Sequence, residues 1–310
     1  MRASCRHEGG FALLLFLFLA MGIAASLLLS AWSGSKLKRE QALRSQQILQ
    51  DAKTALIAWS ASHRTTPGRL PCPEDTSLIG GLNEGNALSA CSNSTTSIGR
   101  IPWRTLGLVE PKDAGGEPLW YVLSPGFRGV PPLGSAGVAN GLLQLDGASS
   151  DIAALVIAPG APLPGQTRPQ PSPASPPNSA NYLDLGNATG PAFVSNGAAS
   201  NFNDQVITIT TRELFLAMRH RVLSEIQGAF GLENGLRRHY NDNGGFPPTG
   251  TPLNSLIFDS DTRNWLSPGT NTELWFSLVT YISPLPPARP RLILDGISME
   301  VTPCTATPCP

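Results

Sequence analysis

The sequence predicts an α+β fold. A long N-terminal helix, membrane-spanning at first and then amphipathic, carries a head built on an antiparallel sheet. Three observations predict it. An uncharged, mostly apolar run begins abruptly at Phe11, behind Gly9-Gly10, and no charge follows until Lys36. Residues 36 to about 63 contain neither Pro nor Gly. Beyond them, short β-branched and aromatic stretches are punctuated by Gly, Pro and Asp, in a chain with 31 glycines and 29 prolines among 310 residues. That share favours a turn-rich head over a helical bundle.

Taken in order, residues 1–10 form a short polar leader. Residues 11–33 form a transmembrane helix, because about 20 apolar residues at 1.5 Å rise cross a hydrocarbon core of roughly 30 Å. A removable secretory signal fits less well, since the small-residue stretch "AAS" at 24–26 would be cut inside the run. Residues 34–160 hold the amphipathic helix and a first α+β module. Ala42, Leu49, Ala52, Leu56 and Trp59 recur at three-, four- and seven-residue spacings, one helical face, while Lys38, Arg39, Arg44, Asp51 and Lys53 mark the wet side. Pro67-Gly68 stops the helix.

Strands are expected at 118–124, 142–147, 152–159, 205–210, 274–283 and 291–301. "LDG" occurs at 145–147 and again at 294–296 and reads as a hairpin turn, with Asp-Gly supplying positive φ cheaply. Residues 161–204 form a Pro/Gly/Ser-rich connection. With its approach it contains eight prolines between Pro159 and Pro177, a stiff, extended and exposed strip.

Residues 205–310 form a second helix-and-sheet module that replays the first. Thr210 and Glu213 have capping-box spacing. Leu214, Met218, Val222, Ile226 and Phe230 continue at four-residue steps, and Gly228, Gly231 and Gly235 bend or break the helix. Gly68-Arg69-Leu70-Pro71 then matches Gly244-Gly245-Phe246-Pro247, Trp103 and Gly107 match Trp265 and Gly269, and the two "LDG" turns follow in the same order. This order predicts two tandem modules of one design.

Lys+Arg and Asp+Glu balance at 22 each, which argues against a nucleic-acid or strongly acidic partner. Cys5 precedes the apolar run, and Cys72, Cys91, Cys304 and Cys309 follow it. In an exported body those four form an even set with three possible connectivities, of which proximity favours Cys72–Cys91 and Cys304–Cys309. A zinc site is the rival reading, but no C-x2-C pair or suitably spaced His accompanies them.

The polar leader ending in Gly10, then Phe11, then an apolar helix running into an amphipathic one, resembles the N-terminus of type IV prepilins and of type II secretion pseudopilins. "GRLPCP" at 68–73, after the helix, is similar to the turn leading into a disulfide loop in such proteins. The resemblance covers roughly residues 10–75. It implies cleavage by a prepilin peptidase between Gly10 and Phe11 and methylation of the new terminus. It also implies an inner-membrane, single-pass protein with its bulk in the periplasm, which becomes part of a surface filament on assembly. The partners implied are other pilin or pseudopilin subunits and the membrane, and the role is structural, that of a minor pilin or pseudopilin. In these terms the two halves are tandem pilin-like helix-plus-sheet modules. The chain departs from the family at Leu15, where most members carry a Glu that pairs with a neighbour's terminal amine. That departure points to a minor or tip subunit, or to the alternative of a non-polymerising, membrane-tethered periplasmic binding module.

No catalytic motif is present: no G-x-S-x-G, P-loop or H-E-x-x-H, and the four histidines have no nucleophile and acid at suggestive spacing. The expectation is a non-enzymatic chain without a cofactor. Asp259 and Asp261 in "FDSDTRN" are weak candidates for Ca²⁺ ligation, since no closing acidic residue follows. Arg219-His220-Arg221 and Arg237-Arg238-His239 read as a wet helix face.

Overall fold

A computed structural model describes residues 9–91, 96–128, 143–198, 201–228, 234–267, 275–284 and 289–303, although the side chains of 9–13, 24–35, 149 and 150 are not described. Residues 1–8 of the leader, Phe230, Gly231, Gly269, Cys304 and Cys309 lie outside these residues. Helix α1 (Gly9–Ser62) is continuous. Its upper part buries Ser45, Leu49, Ala52, Leu56 and Ser60, a stripe at three- and four-residue steps, against the head. Ala42 lies outside that stripe, exposed below it.

The expected membrane span at 11–33 is corrected. Among the described residues, no helix is long and apolar enough to cross a membrane. The described side chains of the uncharged run, Leu14–Ile23, rise about 15 Å at 1.5 Å each, half of a roughly 30 Å hydrocarbon core. The single-pass inner-membrane placement with a periplasmic bulk depended on that span and is corrected with it.

The head has a sheet of β1 (Ser97–Arg100), β2 (Trp120–Leu123), β4 (Ala148–Ala158), β3 (Leu143–Leu145) and β5 (Ala192–Phe193), in that order, and β6 (Gln205–Thr210) also pairs with β4. All pairings are antiparallel except β3 with β5. Period-two alternation decides which side chains meet the helices. Tyr121 and Leu123 of β2, with the smaller Ala154, Val156 and Ala158 of β4, face the main core. Trp120 and Val122, with Leu155 and Ile157, face a second cluster closed by Tyr182, Leu183 and Phe193. The sheet is therefore covered on both faces. Strand β6, placed by sequence at the start of the second module, completes this first sheet.

Thr210 then caps α2 (Thr211–Gln227) with the expected capping box, and Gly228, at φ 93°, ends it. A Cβ there would lie 2.4 Å from the Asn234 carbonyl oxygen, so glycine also permits the close return into α3 (Gly235–Asn243). After α4 (Ser260–Leu266) comes a three-stranded sheet of β7 (Thr280–Ile282), β8 (Arg291–Leu294) and β9 (Ile297–Glu300). The long strand expected at 274–283 is reduced to β7, because Phe276–Leu278 form a 3-10 turn and Trp275 stacks on Phe215 of α2, with ring centroids 5.7 Å apart.

The expectation of two tandem modules of one design is also corrected. In the first sheet β2 pairs with the second arm of the "LDG" hairpin, β4, whereas in the second β7 pairs with the first arm, β8. Residues of both halves, from Leu49 to Val301, share one core.

Candidate binding cleft

Glu74 follows the Gly-x-x-Pro turn and the half-cystine Cys72, which is bonded to Cys91 with a Cα–Cα distance of 5.9 Å. The disulfide closes a loop whose own hydrogen bonds, such as Asp75 N to Asn86 O and Leu88 N to Pro73 O, hold it folded back on itself. Glu74 donates its amide to the Arg100 carbonyl at the end of β1, and the Arg100 guanidinium lies 3.0 Å from the Glu74 carboxylate. Both side chains are buried. Arg100 also reaches Glu110 at 2.7 Å and Glu84 at 3.7 Å, and Lys112 pairs with the other oxygen of Glu110 at 3.0 Å. Burial pushes the Glu74 carboxyl up to about 7. Arg100 opposes this and Glu84 adds to it, and desolvation wins.

The opposite wall is the proline-rich strip, which lies folded against the head. Asp113 pins its start by accepting from the Gly160 amide at 2.7 Å, while also accepting from the Gly115 and Glu117 amides of its own turn. Arg168 is the strip's centre. It donates to the carbonyls of Gly160 and Tyr182 and to Gln166, pairs with Glu117 at 3.1 Å and lies over the Tyr182 ring. The Tyr182 hydroxyl donates in turn to the Pro169 carbonyl. Behind this wall Asp204 accepts from the Asp184 amide and the Asn187 side chain, and burial pushes its carboxyl up to about 7.

Between the disulfide loop and the strip lies a cavity of about 380 Å³. Trp120 and Tyr182, with ring centroids 5.3 Å apart, are among the residues that line it. Its charged lining is three glutamates (84, 110 and 117) and three cations, Arg100, Lys112 and Arg168. The two arginine side chains are each 5% exposed, so their positions are fixed by packing, whereas Lys112 is half exposed.

The sequence-derived candidates lie elsewhere. Gly10 and Phe11 fall in the first turn of α1. Above them, Leu14, Leu15, Phe16, Leu17, Phe18 and Leu19 are each more than half exposed. Asp259 is the N-cap of α4, accepting from the Thr262 amide and from Asn234, and Asp261 sits exposed in the helix's first turn. Capping therefore accounts for that aspartate, and among the described residues no group of three or more His, Cys, Asp or Glu could hold a metal ion. Sequence reasoning missed the cleft. Its charges are spread from Glu84 to Arg168, and the available signal was the cluster Glu110, Lys112, Asp113 and Glu117 in a chain only 14% charged.

Set against known proteins, the chain matches no family model, no curated protein and no solved structure.

Proposed function

We propose that this chain is a structural subunit of a helical filament, resembling the minor pilins and pseudopilins of type IV pili or type II secretion, and is trimmed between Gly10 and Phe11 by a prepilin peptidase. The observation that carries the reading is the exposure of six successive apolar residues, Leu14 to Leu19, on a helix whose upper part is fixed in the head. Successive residues turn by about 100° at 3.6 residues per turn, so these six cover the whole circumference. Burying each such side chain is worth about 1.5–3 kcal/mol. A single flat partner would cover one side only, whereas the helices of several sister subunits cover all of it. Leu15, in place of the family's Glu, brings no charge into that bundle and suits a subunit incorporated rarely or at a tip.

The test is mass spectrometry of the mature chain from cells that possess a prepilin peptidase, together with a photo-crosslinker at Phe18. A methylated Phe11 terminus and crosslinks to pilin-like helices are expected. A chain retaining Met1 that yields no such crosslink overturns the reading.

A further inference from the structure

The cavity between the disulfide loop and the proline-rich strip is built in a way that a purely structural ion-pair cluster does not require. Each wall is anchored separately, one by the Cys72–Cys91 bond and the other by Arg168 and Asp113, and an open volume of about 380 Å³ remains between them. That volume lies toward the lower end of small-molecule sites, roughly 300–1,000 Å³, which are usually lined mainly by apolar side chains. Here six charged side chains line it, three of each sign.

The charge balance selects the ligand. An anion would have to displace Glu110 from Arg100 and Lys112, or Glu117 from Arg168, and a cation would have to compete with those same bases. Spare hydrogen-bonding capacity of both kinds nevertheless remains. A carboxylate offers about four acceptor positions and an ammonium three donors, more than the resident pairs consume. Groups that donate and accept at once, without charge, fit such a lining, and hydroxyls do this. Trp120 and Tyr182 add aromatic atoms to the lining, with Arg168 lying over the Tyr182 ring. We infer that the cleft binds an uncharged, hydroxyl-rich ligand of the carbohydrate class, one sugar ring of a glycan. This site does not depend on the filament reading, since none of its residues lies on α1.

The experiment is saturation-transfer NMR on the full chain, kept dispersed in a zwitterionic detergent that contains no sugar. The probes are methyl glycosides of glucose, galactose and N-acetylglucosamine, with glucuronate and short acidic and basic peptides for comparison. Transfer to at least one neutral glycoside is expected, insensitive to salt, because the ligand carries no charge for salt to screen. Lys112→Ala removes a half-exposed donor and is expected to weaken that binding about tenfold. Gln170→Ala, on the exposed side of the strip, leaves the fold intact and provides a second probe of the same wall. The inference is overturned if no neutral glycoside binds. It is overturned equally if binding is confined to glucuronate or a peptide, or if both variants bind the neutral glycoside as the parent does, which would place the site elsewhere.

Discussion

The Tyr121 hydroxyl donates to the Pro71 carbonyl at 3.2 Å, wholly inside the core. The same device recurs in the second half, where Tyr281 donates to the Pro247 carbonyl at 2.8 Å. In each case a tyrosine on a strand fastens the carbonyl of the proline that ends a Gly-x-x-Pro turn. The two sheets differ in strand order, yet the attachment of turn to strand is the same.

Removing either hydroxyl leaves a buried carbonyl unpaired. Tyr121→Phe is expected to lower the unfolding free energy by about 1–2 kcal/mol, and Tyr281→Phe by a similar amount, as read from urea midpoints at unchanged m-value.

Stability is expected to fall as pH rises through the window between the ordinary carboxyl range and about 7. Glu74 and Asp204 both stand at about 7 in the folded protein, raised by burial from 4.5 and 3.8. In that window the folded chain holds protons that the unfolded chain has released, so the slope of stability against pH is negative. Each group contributes up to a few kcal/mol, at about 1.4 kcal/mol per unit. Urea midpoints at successive pH values measure the decline. Glu74→Gln and Asp204→Asn should each flatten it, and a decline of unchanged steepness in both would show that other groups cause it.

The Cys72–Cys91 bond, at a sequence separation of 19, closes a loop whose constraint on the unfolded chain is worth about 3 kcal/mol. Cys72→Ser with Cys91→Ser should lower stability by about that amount, and hydrogen exchange should rise first between residues 75 and 90.

How much of this was legible in the sequence differs from place to place. Local chemistry could be read directly. Both "LDG" turns adopt the expected geometry, with Asp146 at φ 52° and Asp295 at φ 46°, each followed by a positive-φ glycine. The Thr210–Glu213 capping box and the break at Gly228 depend only on residues a few positions apart. Long-range choices could not be read. Nothing near Trp275 announces that its indole will stack on Phe215, yet that contact replaces the first half of the expected strand with a tight turn. The cleft is the extreme case, since Glu84 and Glu110 meet at one guanidinium only because β1 delivers Arg100 between two loops.

Arg168→Ala should release the proline-rich strip. The side chain holds the carbonyls of Gly160 and Tyr182, the Gln166 amide and Glu117. Hydrogen bonds involving a charged group are each worth about 1.5–3 kcal/mol, and the loss of several at one residue is not additive. A total loss of about 2–4 kcal/mol is expected, together with new limited-proteolysis cuts between residues 161 and 177. A strip that stays resistant would show that Asp113 and Tyr182 suffice to hold it.

Leu56→Ala tests how α1 is held. Its side chain is fully buried under the head, so truncation should cost about 2–5 kcal/mol. The Lys53–Glu213 ion pair one turn away, at 2.5 Å, is part-buried and should not compensate. Thermal denaturation of the variant reads the loss.

Val301 is buried in the same core as Leu49, about 250 residues before it, with its amide on the Pro290 carbonyl. Arg237 of α3 clasps the following residue, Thr302, through two hydrogen bonds. A ribosome delivers α1 well before this segment, so the interior stays unsealed until residues 301 and 302 have been made. Contacts so distant along the chain make for slow folding. During that delay the greasy lower end of α1 is already out of the exit tunnel, and it must be shielded before the rest of the molecule has taken shape.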